Sequence, residues 1–436
     1  MALLPPDHPD RQALASEAHA RPPEPLDTPS RATYVAVLID TDARARELEH
    51  IASLCAPNGV APPAEGATHF IATLGTLRFK WERHGEFSGY TFFIGGRSSS
   101  PFGETAISRL PADWLAEIPG STLVAAHAKL VPAEDDEPDA TVLANLFDGN
   151  IAVGARIGDG AGLAFTDFRV HGDGFARFVV FNRDLTLRQA GRTLQRLFEI
   201  EAYRMLALLA LPIARRQLPR IVEIESSLAA LTDSIAKDQG GNDESLLHEL
   251  TRLAAEVESG LASSQFRFGA CRAYSELVTT RVGELREQRL TGVQTIEEFM
   301  ARRFTPAMAT CTTVSQRLHN LSERVAQASA LLSTRVDITR ERQNQALLAS
   351  MDRRAKLQLR LQQTVEGLSV AAIVYYVAGL VGYLSKALKA GGLHIEPDLV
   401  VGIAIPLVAL GVLSTIRRAK HGISKAEAGQ PSAREL

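Results

Sequence analysis

Several features that would assign this chain to a familiar class are missing. The N-terminus reads Met-Ala-Leu-Leu-Pro-Pro-Asp, with neither a basic leader nor an apolar core, so no signal peptide is expected and the N-terminal part is placed in the cytoplasm. Cysteine is scarce. Cys55, Cys271 and Cys311 lie far apart, which fits neither a disulfide framework nor a Cys-x-x-Cys metal pair. Charge of one sign does not dominate: a formal net charge of −3 excludes a globally basic nucleic-acid binder. Catalytic motifs are lacking as well, with no Gly-x-x-x-x-Gly-Lys-Ser/Thr loop, no His-Glu-x-x-His and no Gly-x-Ser-x-Gly elbow. Gly158-Asp-Gly160-Ala-Gly162 sits between two strand-like segments with no helix after it, so it reads as a hairpin turn rather than a nucleotide loop. No enzyme activity and no cofactor are expected. Proline is rare in the C-terminal half, where Pro306 is the only one between Pro219 and Pro397, and this permits very long helices.

What is present is concentrated near the C-terminus. Gly367 to Ser385 and Leu399 to Ile416 each run about 18 residues without a charge, or about 27 Å as a helix, close to the hydrocarbon thickness of a bilayer. A soluble helix of that length needs a polar face, and neither segment has one. The two are read as transmembrane helices forming a hairpin in a lipid bilayer. Arg353, Arg354, Lys356 and Arg360 precede the first span, and Arg417, Arg418, Lys420 and Lys425 follow the second. The loop between them holds Lys386, Lys389, Glu396 and Asp398, a balanced set. Basic excess at both outer flanks predicts a bacterial inner-membrane protein with both termini cytoplasmic.

Before the spans the chain divides by pattern. Residues 1–30 form an arm rich in Pro, Asp and Glu. Residues 31–215 read as a cytosolic mixed α/β domain. Tyr34–Ile39 is an apolar run suited to a strand buried on both faces, and Asp42–Leu54 is a helix stopped by Pro57, Asn58 and Gly59. Thr76–His84 with Ser88–Ile94 predicts a hairpin, Thr122–Val131 and Asn150–Ile157 further strands, and Leu163–Val170 with Ala176–Phe181 another hairpin. The acidic run from Glu134 to Glu137 reads as a solvated loop. Asp184 or Thr186 is placed as the cap of a helix running to Leu211.

Residues 216–366 read as a long helical stalk. Beyond Pro219, Ile221, Ile224, Leu228, Leu231 and Ile235 alternate steps of three and four, the seam of a coiled coil or a bundle. Gly240 and Gly241 break it, and Leu246, Leu250, Leu253, Val257 and Leu261 resume it; Leu318, Leu321, Val325, Ala328 and Leu332 carry it on. Thr305-Pro306 suits a helix cap and first turn, with no strong breaker from there into the first span. A helix that long needs its seam buried against helices of the same chain, of identical chains, or of both. A basic tail, 417–436, closes the chain. The fold class expected is thus an α+β membrane protein with cytosolic domain, helical stalk and two-helix hairpin.

Two N-terminal clusters concentrate His, Glu and Arg: Glu17, His19 and Arg21, and Trp81-Glu82-Arg83-His84. On a strand, Trp81 and Arg83 face one way while Glu82 and His84 face the other. Such groups could hold a metal or an anion, but two ligands are not a site, and charge pairs tying the arm to a sheet edge are the favoured reading.

The Glu-x-His-Ala-Arg-Pro and Trp-Glu-Arg-His segments, with the long helices and terminal hairpin, resemble an uncharacterised bacterial family of predicted membrane-anchored proteins, a domain of unknown function. That resemblance covers most of the chain and implies no activity. The order of elements also resembles the CorA-type magnesium channels, which implies a homo-oligomer, a pentamer, with the first span lining a pore for a divalent cation. Where those channels carry Tyr-Gly-Met-Asn this chain reads Val381-Gly382-Tyr383-Leu384, and only Gly382 matches. Magnesium selectivity is therefore not carried over.

Within the first span, Ala371, Tyr375, Ala378 and Gly382 form one stripe and Ala372, Tyr376 and Gly379 the next. Tyr375, Tyr376, Gly379, Gly382 and Tyr383 are the candidate pore-lining or helix-packing residues, with packing favoured, and Glu366 stands at the cytoplasmic mouth. The leading expectation is a homo-oligomeric CorA-like inner-membrane protein passing cations or small solutes under the control of its cytosolic domain. The alternative is a non-conducting anchored sensory or scaffolding protein.

Overall fold

In a computed structural model the structure describes residues 5–17, 22–40, 42–98, 100, 102–134, 137–237, 242–392 and 396–427. The chain divides into two compact units, Met1–Leu332 and Ser333–Leu436.

The first unit is an α+β fold. A short helix α1 (Arg11–Glu17) precedes β1 (Ser30–Leu38), α2 (Ala43–Cys55) and the strands β2 (His69–Leu74), β3 (Leu77–Arg83), β4 (Phe87–Gly95) and β5 (Ser121–Pro132). Then come α3 (Ala140–Leu146), β6 (Val153–Ile157), β7 (Gly162–Thr166) and β8 (Ala176–Asn182). The eight strands form one sheet in the order β2-β3-β4-β1-β5-β8-β7-β6. All neighbours are antiparallel except β5 and β8, which run parallel. As the apolar run at Tyr34–Ile39 implies, β1 sits mid-sheet and is buried on both faces. The hairpins expected from the turns at Gly85-Glu86 and Gly158–Gly162 are β3-β4 and β6-β7; Gly158, Asp159 and Gly160 take the positive φ such a turn needs. The hairpin expected of Leu163–Val170 and Ala176–Phe181 is the antiparallel pair β7-β8.

Helices follow: α4 (Leu187–Leu208), α5 (Ala210–Lys237), α6 (Asp243–Glu284), α7 (Ile296–Phe299) and α8, which begins at Thr305 and ends at Ala390. Thr186 is the cap of α4: its hydroxyl accepts from the Gln189 amide while the Gln189 side chain accepts from the Thr186 amide. The helix expected to reach Leu211 ends instead at Leu208, and α5 starts at Ala210 with Pro212 in its first turn, where a missing N–H is harmless. Pro219, which precedes the expected seam, lies inside α5. Thr305-Pro306 is likewise no free helix start. It follows α7 through a π-turn at Met300–Phe304, a wide turn suited to a proline that cannot donate to the carbonyl four residues back.

The expected seam is buried within one chain. Ile221, Ile224 and Leu228 of α5, Leu246, Leu250, Leu253 and Val257 of α6, and Leu318, Leu321, Val325 and Leu332 of α8 join the α4 residues and one face of the sheet in a single apolar cluster. These helices form an intrachain bundle, so up to Leu332 the seam needs no coiled-coil partner. The break at Gly240-Gly241 lies outside the described residues.

On the opposite face of the sheet, two separate clusters lie side by side. Ile51 and Leu54 of α2 with Trp114 cover β1 to β4, where Phe79 stacks on Phe92 at 5.0 Å. Leu143 of α3 and Phe147 cover β7 and β8. Each large side chain fully buried there contributes about 1.5–3 kcal/mol.

The second unit holds the rest of α8, from Ser333, and α9 (Pro397–Glu427). Both helices are long and apolar enough, by length and composition, to cross a membrane. The basic tail beyond Glu427 lies outside the described residues.

Candidate functional site

Strand β3 carries Trp81, Glu82 and Arg83 of the Trp-Glu-Arg-His segment and ends one residue before His84, and its alternation sends the side chains to opposite faces of the sheet. On the α2 face, Trp81 Nε1 donates to Glu47 Oε1 at 2.8 Å and the Tyr90 hydroxyl donates to the same oxygen at 2.7 Å. The Arg83 guanidinium meets Glu47 Oε2 at 3.0 Å and stacks over the Trp81 ring at 5.0 Å. Glu47 is completely buried, so this carboxylate survives in the core only because three donors and one positive charge surround it. Burial first, then the Glu47 charge, pushes the Tyr90 phenol well above its ordinary pKa, fixing it as a donor. The arrangement clamps α2 to the sheet.

On the helix face, Lys80 and Glu82 pair at 3.0 Å, both largely buried. Lys80 Nζ also donates to the Pro22 carbonyl at 3.2 Å and to Gln195 Oε1 of α4 at 3.4 Å. His84 stacks on Phe87 at 4.2 Å. Between this face and α4 lies a cavity of about 30 Å³ bordered by Lys80, Glu82, His84, Tyr34, Glu199 and Tyr203. That is room for about two waters. Burial, reinforced by Tyr203, Glu82 and Glu199, raises the Tyr34 pKa far above its ordinary value.

The arm closes over this cavity. Arg78 donates to the Pro25 carbonyl at 3.0 Å and pairs with Glu24 at 3.4 Å, and the Leu26 amide donates to the Leu187 carbonyl at 2.9 Å. It crosses α4 at Gly191, where a Cβ would lie 1.6 Å from the Glu24 carbonyl oxygen. These side-chain contacts to the arm come from Arg78 and Lys80, which belong to neither of the two clusters. Glu17 ends α1; its side chain, with His19 and Arg21, lies outside the described residues. Among the described residues no group of three His, Cys, Asp or Glu could hold a metal.

A second polar cluster was not anticipated. After β7, Asp167 is fully buried, accepts from Asn150 Nδ2 at 2.9 Å and lies 2.9 Å from His171 Nε2. His171 Nδ1 and Arg177 Nη1 meet Asp148 at 3.0 and 2.8 Å. The bonds from Arg177 and then His171 hold the Asp148 carboxyl below its ordinary pKa. These residues are spread over about 30 positions, with no spacing to announce them. Glu47 did leave a signal, since it shares the α2 face with Ala43, Ile51 and Leu54.

In the second unit, Ala378 and Ser385 of α8 are buried, and a Cβ at Gly382 would lie 3.4 Å from Val401 Cγ2 of α9. Gly382 therefore serves packing within the hairpin. Tyr375, Tyr376 and Tyr383 are on the outside, 76%, 71% and 74% exposed, with Tyr375 and Tyr376 in edge contact at 5.8 Å. A Cβ at Gly379 would meet nothing within 4 Å, and Glu366 is half-buried in α8.

No curated protein and no solved structure matches the chain, so the architectural likeness to CorA-type channels has no support from that side. Residues 6–423 match the family described as "Protein of unknown function (DUF3422)", a span that takes in both motif segments and both apolar segments, and the chain belongs to that family.

Proposed function

We propose that this protein is a non-conducting, membrane-anchored sensory or scaffolding protein, held in the bacterial inner membrane by the α8–α9 hairpin with its first unit in the cytoplasm. One observation carries the reading. The apolar side chains of the first unit's helical seam are buried, whereas those of the two span-length segments are almost all exposed within the chain. Exposed apolar surface on that scale needs lipid around it. The flanking Arg353, Arg354 and Lys356 on one side and Arg418 on the other support a cytoplasmic placement of both ends. Glu47 and Lys80 fasten β3 to α2 and to the arm, a rigid frame suited to binding or display. Sedimentation tests it: the full chain should pellet with membranes, resist a carbonate wash and be released by detergent. Recovery in the supernatant without detergent would remove the anchor.

The second reading is a homo-oligomeric conduit for cations or small solutes. The outward tyrosines Tyr375, Tyr376 and Tyr383 favour it, because phenol hydroxyls in hydrocarbon need partners from another copy or from pore water. Ion flux in proteoliposomes together with a pentameric stoichiometry in detergent would move the assignment there. Absence of flux from pure, folded protein leaves the anchor.

A further inference from the structure

The two apolar clusters on the α2 face of the sheet do not meet. Between them a polar strip crosses β1, β5 and β8. Arg31 stands opposite Lys129, Thr33 opposite His127, and His127 opposite Arg177. Where β4, β5 and β8 end, the strip opens into a cleft of about 810 Å³, within the usual range for small-ligand pockets. Arg31 and Lys129 line its floor, and Pro138, Val142, Leu163 and Phe181 supply apolar wall.

Charge on the floor of this cleft, at Arg31 and Lys129, is poorly balanced among the described residues. Like charges directly opposite each other on neighbouring strands destabilise a sheet. Arg31 is nine-tenths buried, yet its one carboxylate partner among the described residues, Glu104 at 3.2 Å, is mostly in solvent. Its Nε is buried with no hydrogen-bond partner among the described residues. Lys129 meets no carboxylate among the described residues, only the Ser100 carbonyl at 3.4 Å and the Phe102 ring at 5.9 Å. Burial, and next the Arg31 charge, lower the Lys129 pKa. Among the described residues of the rim, Glu137 accepts from Arg156 at 2.7 Å, Asp139 caps the Val142 amide, and Glu134 is exposed. A buried guanidinium edge beside a lysine is the donor set that carboxylates and phosphates take.

We propose that this cleft binds a small anion bearing a carboxylate or phosphate group, held by Arg31 and Lys129. The proposal gives the sensory reading its class of ligand, and it does not depend on membrane attachment, since every residue named belongs to the first unit. Detergent-solubilised full-length protein is titrated with inorganic phosphate and, separately, with succinate, at ionic strength matched with sodium chloride, and Tm is followed. At least one anion should raise Tm saturably beyond the chloride control, and which one does so separates a phosphate from a carboxylate ligand. Lys129→Met should weaken that response about tenfold or more, the worth of one charge-assisted hydrogen bond. Without anion, Lys129→Met should match or exceed the Tm of the parent, because a like-charge opposition is gone. Lys129→Glu should raise Tm further by pairing with Arg31 and abolish the response, while Lys129→Arg should keep it. No shift with either anion, or a full shift in Lys129→Glu, overturns the proposal whatever the sedimentation result.

Discussion

Glu47 occupies a position where the helix pattern calls for an aliphatic side chain, and Trp81, Tyr90 and Arg83 are shaped around it. Glu47→Ala takes the carboxylate from the half-buried Arg83 guanidinium and orphans the buried Trp81 and Tyr90 donors, and should destabilise the first unit by about 3 kcal/mol in urea unfolding. Glu47→Gln keeps an acceptor and should lose less. His127 gives a pH prediction. Its Nδ1 shares a hydrogen bond of 2.9 Å with the Thr33 hydroxyl, its ring stacks on Phe175 at 4.0 Å, and Asp173 and Arg177 are its charged neighbours. Burial brings its pKa down from 6.5 to about 4. The folded state thus binds fewer protons than the unfolded state between those values. Stability from a neutral His127 is complete above about pH 6.5 and is lost as pH falls toward 4, by about 3 kcal/mol in all. Unfolding free energies of the parent and His127→Gln across that window should converge as pH drops. The two-faced placement of Trp81, Glu82, Arg83 and His84 was legible because a strand has period two. Glu47, the partner of Trp81 and Arg83, comes from a distant segment, and that pairing was not.

The arm depends on one residue of α4. Adding a methyl at Gly191 pushes on the Glu24 carbonyl, which is backbone and has little freedom to move. Gly191→Ala should therefore detach residues 22–26 while leaving the sheet folded. Faster amide exchange at Leu26 and quicker proteolysis of the arm, with an unfolding midpoint lowered by the loss of the buried Leu26 side chain, would be the signature. Elements with strong periodicity were readable from sequence, among them β1, the β3-β4 hairpin, α4 with its Thr186 cap and the bundle seam. The strand β2 and the helix α3 were not, being six and seven residues long with too few buried positions to show a period. The parallel pairing of β5 with β8 was equally hidden, since pairing across 50 positions leaves no local trace. It matters here because that pairing sets Arg177 beside His127 and opens the Lys129 cleft at the strand ends.

Across the chain, each unit has its own means of covering apolar surface, and this can be tested by division. A chain ending at Leu332 retains the whole buried seam and should remain in the supernatant as a folded protein, while the full chain sediments with membranes. The paired apolar segments were legible because about 18 uncharged residues is a length few soluble helices reach. Whether the helical region would close its seam within the chain or across copies was not legible, because period alone does not name the partner. The π-turn at Met300–Phe304 has a consequence for that closure. It places one extra residue in the helical path between α7 and the Leu318–Leu332 stretch. Excising a single residue there would turn everything downstream by about 100° about its own axis. Leu318, Leu321 and Val325 would then swing out of the apolar cluster they share with α5 and α6 and into water. The wide turn thus acts as a phase setting for the longest helix in the molecule.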